Sequence, residues 1–174
     1  MLNHYQSILQ QAIDFIQTLS DTQYSEPVAG QSSVGAHLRH IIDHFHAILT
    51  VDNSYNSYVV DYNVRTRGSQ IESDKAFALD TLHTAQKQLG NLTDYQLQQP
   101  VTVVSEVGVD SSCIIKVQSS VARELMFATS HAVHHFALMK LLVEPILDKA
   151  SFKNDGFGVA PATLDYERHN KCVR

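Results

Sequence analysis

Cysteine is scarce. Only Cys113 and Cys172 occur in 174 residues, and no C-x-x-C spacing joins them. Neither a disulfide framework nor a thiolate zinc site is implied, and free thiols are expected. Glycine and proline are also few, at 7 and 4, against 44% apolar residues, which excludes collagen-like, low-complexity and disordered chains. No segment approaches the roughly 18 uninterrupted apolar residues of a membrane helix. Residues 1–11 lack the cationic start and apolar run of a signal peptide. Thirteen Lys and Arg stand against eighteen Asp and Glu, and no basic cluster could track a phosphate backbone. The expectation is a cytoplasmic chain that binds neither nucleic acid nor membrane, with residues 1–174 as one domain.

Several chemistries are missing as well. There is no His-Glu-x-x-His motif and no Glu-x-x-His pair, which removes the zincin and di-iron carboxylate patterns. Gly156-Phe157-Gly158 runs into Val159-Ala160-Pro161 with no strand before it, so it is no dinucleotide loop. No nucleophile elbow is present. The sequon Asn91-Leu92-Thr93 has no secretory context.

Histidine, in contrast, is abundant and clustered. Four of the ten fall between His37 and His46 and three between His131 and His135. Their meaning depends on the elements that carry them. Residues 3–19 place Tyr5, Ile8, Leu9, Ala12, Ile13, Ile16 and Leu19 at helical spacing. A second helix capped by Ser32 or Ser33 reaches to about residue 51. A third runs from an N-cap at Ser73, with Asp74 in its first turn, along Ala78, Leu82, Ala85 and Leu89 to Gly90. A fourth starts near Ser119 or Ser120 and stops at Pro145.

The expected fold is therefore all-α, a four-helix bundle. The long segment 52–72, with Asp52, Asn53, Ser54, Asn56 and Ser57 at its start, reads as an ordered crossover. It is long enough to let the second and third helices run parallel, giving up-down-down-up order. Val101–Val104 and Cys113–Val117 are β-prone runs flanking Gly108 and Asp110, a small hairpin between the third and fourth helices. The tail after Pro145 reads as irregular.

At about 100° per residue, His131 and His135 fall inside the apolar arc of the fourth helix, and His134 lies at its margin. On the second helix His37, His44 and His40 flank the apolar arc on one side, while His46 points away to solvent. A buried imidazole needs a hydrogen bond, a charge or a metal. Two imidazoles at i, i+4 can reach one ion, and a third from a facing helix completes a three-histidine site with open positions. The bland alternative is a set of hydrogen-bonded core histidines. Spacing alone leaves open which of His37, His40 and His44 faces the pair, with His37 and His44 nearest the arc.

The run Gly35-Ala36-His37-Leu38-Arg39-His40-Ile41-Ile42-Asp43-His44-Phe45, followed by Ser130-His131-Ala132-Val133-His134-His135, resembles the DinB-like (DinB/YfiT) superfamily. The crossover Asp61–Arg67 with Ile71-Glu72, and the tail Phe157–Leu164, are similar to segments of one branch of it. The resemblance implies an up-down-down-up bundle holding one divalent metal. It points to His40, His131 and His135 as ligands, with His44, His37 and His134 as alternative ligands or outer partners. Zinc is the first expectation, with nickel or iron as alternatives.

Similar domains include transferases and isomerases that use bacillithiol, mycothiol or glutathione, as well as the N-terminal domain of ergothioneine-type sulfoxide synthases. A three-histidine metal can lower a thiol's pKa so that a sulfur nucleophile exists at neutral pH. The expected function is thus a thiol-dependent S-transferase or isomerase with a small-molecule substrate and a low-molecular-weight thiol as cosubstrate. Arg65 and Arg67, with Tyr62, are the expected substrate contacts. The alternatives are a metal-dependent hydrolase and a non-catalytic bundle that binds a metal or small ligand. A homodimer is an assembly this reading leaves open.

Overall fold

A computed structural model describes residues 2–28, 30–50, 58–108, 113–147 and 156–171. Asp52, Asn53, Ser54, Asn56 and Ser57 of the crossover, Asp110 of the hairpin and Cys172 lie outside them. The predicted long helices are α1 (Leu2–Gln17), α3 (Val34–Leu49), α5 (Lys75–Gly90) and α7 (Val121–Val143). Shorter helices are α2 (Asp21–Ser25), α4 (Gln70–Ser73), α6 (Asp94–Leu97) and α8 (Pro161–Lys171). Local chemistry sets the starts. The Ser33 hydroxyl accepts from Ala36 N at the head of α3, and that of Ser120 from Arg123 N at the head of α7.

Three expectations require correction. The cap of α5 is Asp74, whose carboxylate accepts from Phe77 N, while Ser73 ends α4. A carboxylate facing a helix N-terminus gains from the dipole as well as from the hydrogen bond. The tail is not wholly irregular, because Pro161 occupies the first position of α8, where its missing N–H costs nothing. The fold is mostly helical, and its small sheet is larger than the expected hairpin. The expected hairpin forms as β2 (Pro100–Glu106) and β3 (Ile114–Ser120), but β1 (Val59–Asp61) joins it from the crossover. The order is β1-β2-β3, parallel then antiparallel, with Val60 paired to Val103 and Val103 to Val117. Three residues are too few for the alternating pattern that marks a strand, so β1 is decided by the partner it meets.

Each long helix packs against two others, α1 and α3 both contacting α5 and α7. Ile13, Phe15, Leu38, Ile41, Leu82, Leu125 and Phe136 are buried between them, and Val60 and Val101 close the core from the sheet. The Gln6 amide donates to the Gln86 carbonyl, and the Lys75 ammonium to the Leu19 carbonyl, tying both ends of the α1–α5 pair.

The crossover is pinned rather than draped. The buried Tyr24 hydroxyl donates to the Ile71 carbonyl, and Gly35 lets the Glu72 carbonyl approach so closely that a Cβ would stand 2.1 Å from its oxygen. Only glycine fits there.

Phe157 is fully buried, with its ring stacked 4.2 Å from Phe15 and 4.6 Å from Phe136. Gly158 follows at φ +72°, and a Cβ there would stand 2.5 Å from Ala137 N. The turn before α8 is thus seated on the helices. Phe157→Ala should lower stability by about 3–5 kcal/mol, read as a lower urea midpoint. A midpoint equal to wild type would mean that this turn does not pack against α1 and α7.

Candidate metal centre

Helices α3 and α7 bury their apolar stripes, Leu38, Ile41, Phe45 and Ile48 on one and Leu125, Ala128, Ala132 and Met139 on the other. The histidines line the margin of that contact. His37, His40, His131 and His135 are half-buried and His44 is buried. His40 Nε2 stands 3.0 Å from His131 Nε2, and His37 Nδ1 stands 2.9 Å from His135 Nδ1. The ring centroids of His40, His131 and His135 are 4.6–5.0 Å apart. Each of these three offers one nitrogen, and the three nitrogens lie within 4.8 Å of one another.

Electrostatics keeps the group uncharged. Burial, then the neighbouring His44 and His131, then Arg39 and Arg65, holds the His40 imidazole down to about 3. Burial first, and the surrounding histidines next, holds His135 at about 3 and His131 at about 4. His37 and His44 are lowered as well, mainly by burial. Neutral imidazoles present lone pairs, which is the state a metal requires.

The donor set fits a borderline divalent ion. With metal–nitrogen bonds of about 2.1 Å in a tetrahedral site, two donors stand about 3.4 Å apart. The three nitrogens, within 4.8 Å of one another, would draw together by up to about 1.4 Å on loading.

The remaining expected residues have other settings. His44 turns its Nδ1 to the His40 carbonyl at 2.9 Å and stacks on Tyr62, with centroids 4.9 Å apart. The Tyr62 hydroxyl donates to Glu124 Oε2 at 2.7 Å, so it is already engaged inside the protein. Burial and that carboxylate raise its pKa. His134 and His46 are exposed. Arg65 and Arg67 are exposed on the crossover, and Arg65, together with Arg39, acts electrostatically on His40 and His44.

Two charge networks built on buried Arg39, Asp43 and Glu124 frame the cluster, and these three were not among the expected site residues. Arg39 bridges Asp43 at 2.5 Å and Glu72 at 2.6 Å, and Asp43 also accepts from the Thr66 hydroxyl at 2.6 Å. This ties α3 to the crossover that carries Arg65. Glu124, fully buried, accepts from Tyr62, from the Ser119 hydroxyl at 2.5 Å and from Arg123 at 2.9 Å. A signal for Glu124 existed, because it lies seven residues before His131 and so within the same apolar arc. The Arg39–Asp43 pair gave none, since its i, i+4 spacing is that of any solvated helix face.

Comparison with known proteins places this arrangement. The sequence model described as DinB family matches residues 1–144. FK506-binding protein 5 of Rhizopus delemar is 30% identical over 109 residues, or 62% of this chain and 27% of that protein. The match therefore spans about a quarter of that relative's length.

The depressed imidazoles bear on stability. A histidine that titrates near 3 or 4 when folded but near its ordinary 6.5 when unfolded binds fewer protons in the native state between those values. Its contribution to stability is whole above about 6.5 and is lost as pH falls toward 4. Urea midpoints of metal-stripped protein should fall between pH 6.5 and 4.5, above the carboxylate range. A flat or rising midpoint would contradict the neutral cluster.

Proposed function

The chain belongs to the DinB family, and from that premise we propose that it is a metal-dependent enzyme whose His40, His131 and His135 hold one divalent ion. We assign it thiol-dependent S-transfer or isomerisation of a small molecule. The reading is carried by one observation, three uncharged imidazoles from two packed helices converging within 4.8 Å. Zinc is the first choice of metal, with nickel and iron accepted by the same donors. When bound, the ion would supply Lewis acidity that makes a thiolate available near neutral pH.

The protein's own groups have separable tasks in this proposal. Arg65, exposed on the pinned crossover with its field reaching His40 and His44, would pair with a carboxylate of the thiol cosubstrate. Tyr62 and Phe127, both against His44, would form an apolar wall for the electrophile. His44 donates through Nδ1 to the His40 carbonyl, which leaves its Nε2 as a neutral acceptor that would orient a substrate N–H or O–H by hydrogen bond. Arg67 and His134 would act at the rim.

The same proposal takes residues 1–174 as one domain and the long helices as an up-down-down-up bundle. Supporting that order, Gln6 meets Gln86 while Leu19 meets Lys75, and His37 meets His135 while His40 meets His131. Glu72 meets Arg39 near the start of both α3 and α5. The ligand in the Rhizopus delemar protein's name does not enter the proposal, because the match covers 27% of that protein.

Purified protein should load about one divalent metal per chain, measured by elemental analysis after dialysis. Alanine at His131 or His135 should weaken binding by more than the about 10–100-fold typical of losing an outer hydrogen-bond partner. Alanine at the exposed His46 or His169 should not. Equal loss from all four would defeat the ligand assignment.

The loaded protein should consume a bacillithiol-, mycothiol- or glutathione-type thiol together with a generic electrophile, and lose that activity on chelation. Arg65→Ala should raise KM for a carboxylate-bearing thiol about five-fold, roughly 1 kcal/mol for an exposed ion pair. Metal-dependent hydrolysis without thiol would favour the hydrolase, and saturable binding without product the binding module.

A further inference from the structure

We propose that His37 is a positioning residue for the metal centre: its Nδ1 accepts a hydrogen bond from Nδ1–H of His135, which fixes the His135 tautomer and leaves His135 Nε2 as the donor to the ion. The inference rests on the metal-centre reading above and adds a residue to it. Its basis is the 2.9 Å separation between the two Nδ1 atoms. Two ring nitrogens at that distance share one proton, so one must donate and the other accept.

The direction follows from the other contacts. A neutral imidazole carries one N–H and one lone pair. If His37 donated, His135 would have to carry its proton on Nε2 and would offer the cluster a hydrogen. If His135 donates, its Nε2 lone pair is free to join His40 and His131. Those two already meet through their Nε2 atoms, 3.0 Å apart, so the cluster converges on Nε2 nitrogens. His135 is in ring contact with both, at centroid distances of 4.8 and 4.6 Å. Metal-bound histidines commonly donate their second N–H to an oxygen acceptor, which orients the ring and raises its basicity. Among the described residues no carboxylate or carbonyl hydrogen-bonds the His135 ring, and His37 supplies an imidazole nitrogen in that place.

The placement is set by the helices. His37 stands one turn before the ligand His40 on α3, and His135 one turn after the ligand His131 on α7. With His40 meeting His131, the next turn outward brings His37 to His135. The sequence Ala36-His37-Leu38-Arg39-His40 thus carries a ligand and the partner of a ligand three residues apart, on neighbouring turns of one face.

The test measures zinc affinity by competition with a chromophoric chelator in wild type, His37→Phe and His37→Asn, with melting of the metal-stripped proteins as a fold control. Asparagine can place its amide oxygen close to the position of Nδ1 and so keeps an acceptor. Affinity should drop about 10–100-fold in the Phe variant and return to within a few-fold of wild type in the Asn variant. In wild type, 15N-labelled histidine spectra should show His135 protonated at Nδ1 and shifted by zinc at Nε2. That signature is independent of turnover and holds the proposal to account even if His37→Phe does not fold.

Wild type that binds no zinc would overturn the metal-centre reading itself. Wild type that binds zinc while His37→Phe binds equally well would overturn only the role of His37. Loss of affinity in both variants would also overturn it, pointing to His37 as a direct ligand, and a predominant zinc-induced shift at His135 Nδ1 would overturn it by showing that His135 ligates through Nδ1.

Discussion

An imidazole withdrawn from water and crowded by other imidazoles cannot afford a proton, and the α3–α7 contact is organised around that constraint. Burial is the first cause of the lowered pKa at each of His37, His40, His44, His131 and His135, and the remaining histidines add mutual repulsion. Each neutral ring must then place one N–H and one lone pair among close neighbours. The contacts record how part of that is solved. His44 turns to a backbone carbonyl, His37 and His135 face each other, and His40 and His131 bring like nitrogens together. In the last contact the two nitrogens share one proton, and a metal taking that proton's place would engage both lone pairs.

Holding five rings in register needs rigid support, and two charge networks built on buried Arg39, Asp43 and Glu124 supply it. Arg39, Asp43 and Glu72 form one, with Thr66 bound to Asp43, so the crossover is locked onto the face of α3 beside the histidines. Charges this deeply buried are weak evidence for stability, but removing one partner is severe, since its counterpart is left uncompensated. The network is better understood as fixing geometry. It sets where Arg65 stands relative to His40 and His44. Glu124 does the same on α7, gathering Tyr62, Ser119 and Arg123 around one carboxylate, and through Tyr62 it supports the His44 ring.

The small sheet and the tail complete the support from the periphery. β1 lies in the crossover and pairs with β2, which turns into β3 and then directly into α7, so the segment bearing Tyr62 and the helix bearing His131 share one hydrogen-bonded frame. At the other end, Phe157 inserts between Phe15 and Phe136, anchoring the turn before α8 to α1 and α7. Sites carried on helices braced in this way are more reproducible in geometry than sites on loops.

The long helices were legible in the chain because their information is local: apolar residues at helical spacing, Ser33 and Ser120 at the starts, and the stop before Pro145. The histidines were legible as a cluster for the same reason, since i, i+4 spacing is a property of one helix. What the wheel could not settle was how His37, His40 and His44 divide their contacts with the pair on α7. By angle His40 was the least favoured of the three, yet it stands 3.0 Å from His131. That choice depends on how α3 is rotated and offset against α7, and packing sets this through residues distant in sequence. The same holds for β1, too short to show a period until β2 lies beside it. It holds for Arg39 and Asp43, an ordinary exposed pair by spacing that becomes buried only because the crossover covers that face. Sequence alone determined the helices, their phases and a store of imidazoles. Tertiary structure decided which imidazoles meet, because that is set by the contact between two helices some ninety residues apart.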